Sequence, residues 1–240
     1  ENNVLACVLL LKAMREAEVK KLIFSSSCAT FGEPKRIPIE ENDPQSPANP
    51  YGETKLMIER ILRDQSKVTD LRYIALRYFN ACGAHSSGEI GEVHDPEAHL
   101  IPNVLKVLTG EKKVLEIYGD DYDTPDGTCI RDYIHIEDLA SAHLSALEAL
   151  DKGMTSDVFN LGNGTGYSVK EIVAAVEKVT GKKVRVKIAP RRPGDPARLV
   201  SSAAKAKKIL GWKPRFGLTQ IIRSAWKWES RGASKKSKSR

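Results

Sequence analysis

The stretch Ser25-Ser26-Ser27-Cys28-Ala29-Thr30-Phe31-Gly32 decides the fold of this chain. It follows the apolar run Leu22-Ile23-Phe24, which predicts a buried strand that opens into a loop of small and hydroxyl side chains. In open sheets of parallel strands, ligands bind beyond the carboxyl ends of the strands. The stretch therefore predicts an α/β fold whose functional site includes Ser27.

A second run, Asn49-Pro50-Tyr51-Gly52-Glu53-Thr54-Lys55, begins a predicted helix, because Asn49 suits the N-cap and Pro50 the first helical position. Tyr51 and Lys55 are four residues apart and share one helix face. A free tyrosine has a pKa of about 10, and a neighbouring ammonium lowers it toward the range of a useful base. We predict that Tyr51 is a general base, although this spacing also occurs by chance on surface helices.

Together the two runs resemble the active site of the extended short-chain dehydrogenase/reductase family, and within it the epimerases that act on UDP-sugars. The resemblance extends to about Trp228 and includes the runs Leu76-Arg77-Tyr78-Phe79-Asn80, Gly119-Asp120-Asp121-Tyr122, Asp126-Gly127-Thr128-Cys129-Ile130-Arg131-Asp132-Tyr133-Ile134-His135 and Arg191-Arg192-Pro193-Gly194-Asp195. It implies an α/β fold with a partial NAD-binding Rossmann domain, which is a doubly wound parallel sheet lacking its first strands. A smaller α/β domain would bind the substrate.

The resemblance also implies a domain division. Residues 1–80 with about 129–160 would form the C-terminal part of the NAD-binding domain. Residues 81–128 with 161–228 would form the UDP-sugar-binding domain, and 229–240 a basic disordered tail. The family's glycine-rich strand–turn–helix and the acidic residue that hold the rest of the cofactor have no counterpart here, so we expect the chain alone to be inactive.

The activity implied is the NAD-dependent interconversion of UDP-glucose and UDP-galactose, by inversion at C4 through a 4-keto intermediate. Tyr51 would remove the proton of the 4-hydroxyl, Lys55 would lower the Tyr51 pKa and hold the nicotinamide ribose, and Ser27 would bridge the sugar oxygen and the tyrosine. The implied catalytic residues are Ser27, Tyr51 and Lys55, and the implied NAD contacts are Asn2, Ser27, Tyr51, Lys55 and Phe79. A plain core role for Phe79 stays open.

The substrate contacts implied by the resemblance are Asn80, His99, Leu100, Glu116, Ile117, Tyr118, Arg131, Arg192, Asp195 and Leu199. Arg131 and Arg192 would bind the diphosphate, which a guanidinium matches in geometry, although Arg192 also fits a basic surface loop. The Tyr118 ring could stack on the base. Leu199, of intermediate size, suggests partial tolerance of N-acetylhexosamines.

Two other patterns imitate known sites. Residues 81–100 contain three histidines and several carboxylates, but their spacing fits no common zinc pattern and the glycines indicate an irregular loop. We therefore predict no metal and a loop that covers the nucleotide-sugar. The run Gly162-x-Gly164-x-Gly166 follows a strand but lacks the spacing of a dinucleotide-binding turn.

Composition bounds the remaining possibilities. The chain has 240 residues, 41% apolar and 29% charged, as in ordinary globular proteins, and no apolar run long enough to span a membrane. Its four cysteines show no zinc or redox spacing, which favours a reducing, cytoplasmic compartment, although an imported organelle protein without its targeting segment would show the same pattern. Much of the net charge of +7 lies in the tail, so we expect neither a nucleic-acid nor a membrane partner. By resemblance, the partners are UDP-glucose, UDP-galactose and a second copy in a homodimer.

Three alternatives stay open. A pentose epimerase acting on UDP-arabinose and UDP-xylose would use the same residues. A nucleotide-sugar dehydratase fits less well, because its chemistry needs a further acid and base where this chain has Cys28 and Ala29. A non-catalytic UDP-sugar-binding protein would explain the missing glycine-rich turn.

Overall fold

The computed structural model describes residues 2–238, with side chains described as far as Arg231. Its α-helices are α1 (Val4–Glu16), α2 (Pro50–Val68), α3 (Leu100–Leu108), α4 (Ile136–Asp151), α5 (Val169–Thr180), α6 (Ala204–Leu210) and α7 (Leu218–Lys238). Its strands are β1 (Lys21–Ser27), β2 (Arg72–Tyr78), β3 (Asn80–Cys82), β4 (Leu115–Tyr118), β5 (Ile130–His135), β6 (Asp157–Leu161), β7 (Gly166–Ser168), β8 (Val186–Ala189) and β9 (Arg198–Leu199).

Local sequence explains where the two best-defined helices begin. The Asn49 side chain accepts a hydrogen bond from the backbone N–H of Gly52 at 2.9 Å, so it caps α2 as predicted. Ser168 and Glu171 form the reciprocal capping box at the start of α5. These caps fix the direction in which each helix leaves its strand.

The first sheet contains parallel strands in the order β1-β2-β6. Alternate residues of β2 point to opposite faces, as strand geometry requires. Tyr73 and Ala75 pack with α1 and α2, whereas Ile74 and Leu76 pack with α4. Helices therefore cover both faces, and the predicted doubly wound parallel sheet is confirmed.

The remaining strands form two smaller sheets. One has the order β3-β5-β7, with β9 pairing β5, and the other pairs β4 with β8 in parallel. A second core lies between these strands and α3, α5 and α7. The sequence did not predict β3, β7 and β9, because strands of two or three residues are too short to show a period.

The domain division stays a prediction, but the strand pairing bears on its boundary near residue 129. Strand β5 pairs with β3, β7 and β9, whereas the helix that follows it, α4, packs on the first sheet. The two predicted units are therefore joined at β5, and this junction places Arg131 beside the carboxyl ends of the first sheet.

The prediction of a disordered tail from residue 229 is wrong as far as Lys238, where α7 ends. The side chains of Lys227 and Arg231 donate hydrogen bonds to the backbone oxygens of Ser86 and Gly88, at 2.6 and 3.0 Å. These long-range contacts hold α7 against the loop before α3, and lysine and alanine continue a helix well. Composition alone could not show this docking.

Within residues 2–238, no helix combines the length and the apolar character that crossing a lipid bilayer requires.

Candidate active site

Ser27 and Tyr51 lie together where β1 ends and α2 begins. Ser27 is the last residue of β1, is buried, and its hydroxyl accepts a hydrogen bond from the backbone N–H of Ala29 at 3.2 Å. Tyr51 is half exposed on the first turn of α2. Burial raises the pKa of the Tyr51 hydroxyl above its ordinary value, and a side-chain hydrogen bond with Ser27 partly opposes that rise. The structure thus brings the predicted base and the predicted serine together.

Lys55 lies one helical turn beyond Tyr51. Its ammonium is 5.7 Å from the centroid of the Tyr51 ring and donates a hydrogen bond to the backbone oxygen of Ser25 at 2.9 Å. Burial lowers the pKa of Lys55. Burial is the largest influence on the Tyr51 pKa, and the lowering of that pKa by Lys55 stays a prediction.

A buried ion pair couples α2 to the first sheet. Glu59 of α2 accepts hydrogen bonds from Arg77 of β2, at 2.6 Å from Nη2, and from the Ser26 hydroxyl of β1 at 2.5 Å. Side chains of Glu59 and Arg77 are 6% and 5% exposed. Sequence reasoning missed this pair, since the two residues are 18 positions apart on elements whose packing was unknown. It fixes the helix that carries Tyr51 against the strand that carries Ser27.

The other predicted cofactor contacts differ in exposure. Asn2 is exposed just before α1. Phe79 is 5% exposed and packs with Cys28, Phe31 and Ile39. The core role left open for Phe79 is therefore real, and its contact with a nicotinamide stays a prediction.

Strand pairing connects the catalytic end of the first sheet with the predicted substrate residues. Ser27 is the register partner of Tyr78, two residues before Asn80. Asn80 is in turn the register partner of Tyr133, two residues beyond Arg131. Asn80 thus lies between the Ser27–Tyr51 pair and Arg131.

A cleft of about 410 Å³ opens from Asn80 and holds most of the predicted substrate residues. The predicted residues that line it are Asn80, His99, Leu100, Glu116, Ile117, Tyr118, Arg131, Arg192 and Asp195. Leu199 does not line this cleft; it packs against the cluster of Cys28, Phe31, Ile39 and Phe79. Its predicted influence on sugar size remains a prediction.

The two arginines of the cleft are held in different ways. Arg131 is buried, forms an ion pair with Asp195, and donates a hydrogen bond to the backbone oxygen of Pro196 at 2.7 Å. The guanidinium of Arg192 lies 3.9 Å from the centroid of the Tyr118 ring, a cation–π contact. Within residues 2–231, no carboxylate forms an ion pair with Arg192, which leaves its charge available for an anion.

The Arg192 contact changes the expected role of Tyr118. One face of the Tyr118 ring is covered by the guanidinium, and its hydroxyl donates to Glu116 at 3.0 Å. A base could stack only on the other face of the ring. The neighbouring Arg191 instead forms an ion pair with Asp121 at 2.6 Å. Of the two arginines of the motif, Arg191 therefore makes a surface contact and Arg192 lines the cleft.

Sequence reasoning missed Lys112, which lines the same cleft and donates a hydrogen bond to Asn103. A lone lysine after a helix carries no signal in the sequence. Its ammonium adds a third positive charge to a wall that already contains Arg131 and Arg192. The same lining contains the carboxylates of Glu97, Glu116 and Asp195, and Asp195 pairs with Arg131. Arg192 and Lys112 therefore supply the positive charge that favours an anionic ligand in this cleft.

The glycine run after β6 has a structural role that the sequence did not show. The backbone N–H groups of Asn163, Gly164 and Ser201 donate to the buried carboxylate of Asp132, at 2.8, 3.0 and 3.1 Å. A Cβ at Gly162 would lie 2.4 Å from an Asp132 oxygen, so only glycine permits this approach. Burial raises the pKa of Asp132 to about 6, against the lowering by these donors. The run thus wraps a carboxylate rather than a dinucleotide.

Known proteins resemble this chain over most of its length. The sequence profile of the NAD dependent epimerase/dehydratase family matches residues 1–162. A UDP-glucose 4-epimerase of Halalkalibacterium halodurans is 54% identical over 229 residues, which is 95% of this chain and 69% of that protein. The crystal structure of UDP-glucose 4-epimerase from Brucella ovis in complex with NAD superposes with a TM-score of 0.91 and 50% identity, covering 94% of this chain and 70% of that one. The enzyme of Bifidobacterium longum in complex with NAD⁺ and UDP gives a TM-score of 0.90 and 45% identity, covering 96% and 69%.

Proposed function

The chain belongs to the NAD dependent epimerase/dehydratase family, among its UDP-glucose 4-epimerases, and we propose that it carries the catalytic residues and the UDP-sugar site of such an enzyme. The reaction is the interconversion of UDP-glucose and UDP-galactose by inversion at C4 through a 4-keto intermediate, with NAD as cofactor. One observation supports the assignment of residues to this reaction. The strand register places Asn80, which lines the arginine-containing cleft, next to the Ser27–Tyr51 pair.

In this proposal Tyr51 removes the proton from the 4-hydroxyl as the C4–H bond breaks, and returns it when the other epimer forms. The Ser27 hydroxyl, which opposes the rise of the Tyr51 pKa, would hold the same sugar oxygen and keep the proton path short. The Lys55 ammonium on the ring face favours the phenolate once it forms. NAD supplies a hydride acceptor and donor at C4.

The structure offers residues that suit the nicotinamide half of NAD. Lys55 is half buried, and within residues 2–231 no carboxylate forms an ion pair with it, so its N–H groups can donate to ribose hydroxyls. Tyr51, Ser27 and the exposed Asn2 lie at the same end of the first sheet. These four residues would hold the nicotinamide ribose against the carboxyl end of β1.

The diphosphate of the substrate would bind between the cleft arginines. Arg131 is fixed by Asp195 and by two backbone oxygens, so it is oriented before a ligand arrives. Among the side chains described for residues 2–231, Arg192 is held by the Tyr118 ring, and its N–H groups can donate to phosphate oxygens. His99, Leu100, Glu116 and Ile117 would form the walls around the nucleoside and the sugar.

Titration of UDP into the 240-residue chain tests this binding site. We expect Arg192→Met to weaken UDP affinity at least about tenfold, because a charge-assisted hydrogen bond contributes about 1.5–3 kcal/mol. Arg198→Met is the matched control, since Arg198 is an exposed neighbouring arginine outside the cleft lining. Equal UDP affinities of the two variants, measured by calorimetry, would show that the diphosphate does not bind in this cleft.

We propose that the enzyme is a homodimer that buries one face of α1 and α2. Leu5, Val8 and Leu9 of α1 are about half exposed. A groove of about 620 Å³ between the two helices is lined by Val8, Leu11 and Ile61. An exposed apolar face of this kind marks a protein contact, and sedimentation velocity on the chain measures whether a second copy covers it.

A further inference from the structure

Four metal-binding side chains meet in the loop before α3. Glu92, His94, Glu97 and His99 each present one ligand atom, and these atoms all lie within 4.8 Å of one another. The Nδ1 atom of His94 is 3.1 Å from Glu92 Oε1 and 3.9 Å from Glu97 Oε1. The Nδ1 atom of His99 is 3.6 Å from Glu97 Oε1 and forms a short hydrogen bond with Glu92.

These distances fit the edges of a small coordination polyhedron. Zinc binds histidine nitrogen and carboxylate oxygen at about 2.0–2.2 Å in a tetrahedron, so neighbouring ligand atoms are about 3.3–3.6 Å apart. The His99–Glu97 edge already matches, and the two His94 edges need shifts of a few tenths of an ångström, whereas the short Glu92–His99 hydrogen bond must open by about 1 Å. Two imidazoles and two carboxylates are also the ligand types that divalent zinc, and not calcium or magnesium, prefers together.

The ligands are supported by the surrounding structure. The side chain of Glu97 is 2% exposed, and Glu97 Oε1 accepts a hydrogen bond from the backbone N–H of His99 at 2.9 Å. The Trp228 indole donates to the backbone oxygen of Glu92 at 3.2 Å, and Gly91 lies against its ring, where a Cβ would clash at 2.3 Å. Such outer contacts hold ligands in place before a metal arrives.

We propose that Glu92, His94, Glu97 and His99 form a binding site for one divalent transition-metal ion, with Zn²⁺ as the best match. The two carboxylates balance the charge of a divalent ion, which offsets the repulsion between Glu92 and the buried Glu97. Lys106, whose ammonium is 3.8 Å from Glu97 Oε2, is a further cation at the edge of the cluster. Glu97 and His99 also line the cleft. The ion would therefore fix the cleft wall that precedes α3, as a structural element separate from the hydride chemistry.

The sequence concealed this site because the four ligands fall within eight residues of an irregular loop. Their spacing matches none of the common zinc patterns, and from it we predicted no metal. The loop folds back so that Glu92 and His99 are in contact. Neither the period of a helix nor that of a strand predicts this contact. Only the folded geometry shows that the ligand atoms converge.

Zinc uptake by the 240-residue chain tests the proposal without requiring epimerase activity. The chain is dialysed against a buffer with micromolar Zn²⁺, and bound zinc is measured by mass spectrometry and by competition with a chromogenic chelator. We expect about one ion per chain for the wild type, and at least tenfold weaker binding for His94→Gln and for Glu92→Gln. His85→Gln is the matched control, because His85 is exposed in the same loop but outside the cluster and should bind zinc as the wild type does.

Cobalt distinguishes this site from the cysteines. A Co²⁺ ion held by two imidazoles and two carboxylates gives a visible spectrum without thiolate charge transfer, whereas an ion at Cys129 in the cleft would show it. His94 is half exposed, so its replacement leaves the fold intact, and circular dichroism checks this. Failure of the wild type to bind zinc, equal binding by His94→Gln and the wild type, or a thiolate band would each overturn the proposal.

Discussion

Replacing Tyr51 by phenylalanine is expected to lower the turnover of UDP-galactose about 100-fold or more. The substitution removes the phenol oxygen that we propose takes the substrate proton, and general-base catalysis contributes about 10² to 10⁴ in rate. The ring, its packing and the contact with Lys55 remain. The measurement uses a chimeric protein, called the complemented enzyme here. In it, the segment of the Halalkalibacterium halodurans relative that this chain does not span is joined to this chain.

Tyr73→Phe is the control for this experiment. Tyr73 lies in β2 and packs with α1 and α2, away from the end of the sheet that holds Ser27. It should change turnover by less than about threefold. UDP affinity should be the same in both variants, because neither residue lines the cleft. If the turnover of the Tyr51→Phe enzyme is within threefold of the wild-type turnover, Tyr51 is not the base.

The second large effect is expected on stability, from Glu59→Ala. The buried Arg77 guanidinium would lose its carboxylate partner, and breaking a buried ion pair by removing one partner costs about 3–5 kcal/mol. The hydroxyl of Ser26 would also lose its acceptor. Urea denaturation of the chain measures the change in the free energy of unfolding.

Glu53→Ala is the matched control on the same helix. Glu53 and Arg60 form an exposed pair at 3.9 Å, and such pairs contribute about 0–1 kcal/mol. The two substitutions remove the same chemical group at two levels of burial, so their difference isolates the effect of desolvation. Equal destabilisation by Glu59→Ala and Glu53→Ala would show that Arg77 finds another partner and that the pair does not fix α2 to the sheet.

The sequence predicted those parts of the site that depend on short stretches of neighbouring residues. A buried strand that ends in serines, and a capped helix that begins with Tyr51, depend on neighbouring residues only. Their meeting follows from the rule that the strand ends of a parallel sheet form one edge. The arginines and most predicted walls of the cleft were found through the motifs that resemble the epimerases.

What the sequence could not predict depends on contacts between distant positions. Glu59 and Arg77, the docking of α7 through Arg231, and the wrapping of Asp132 by Gly162 and its neighbours all join residues that no local period relates. The pKa of Tyr51 is a further case. Spacing predicts that Lys55 lies near Tyr51, but only the structure shows that the ammonium faces the ring and that burial sets the direction of the shift.

Conversion of UDP-galactose that carries deuterium at C4 shows whether hydride leaves this carbon and returns to it. In the proposed mechanism, this chain supplies the base and the substrate site for inversion at C4 by hydride removal and return, and Tyr51 exchanges only the hydroxyl proton. Incubated with the complemented enzyme in ordinary water, the labelled substrate should give UDP-glucose that retains deuterium at C4, as measured by mass spectrometry and NMR. Formation of UDP-glucose that carries solvent hydrogen at C4, or no formation of UDP-glucose at all, would contradict this mechanism.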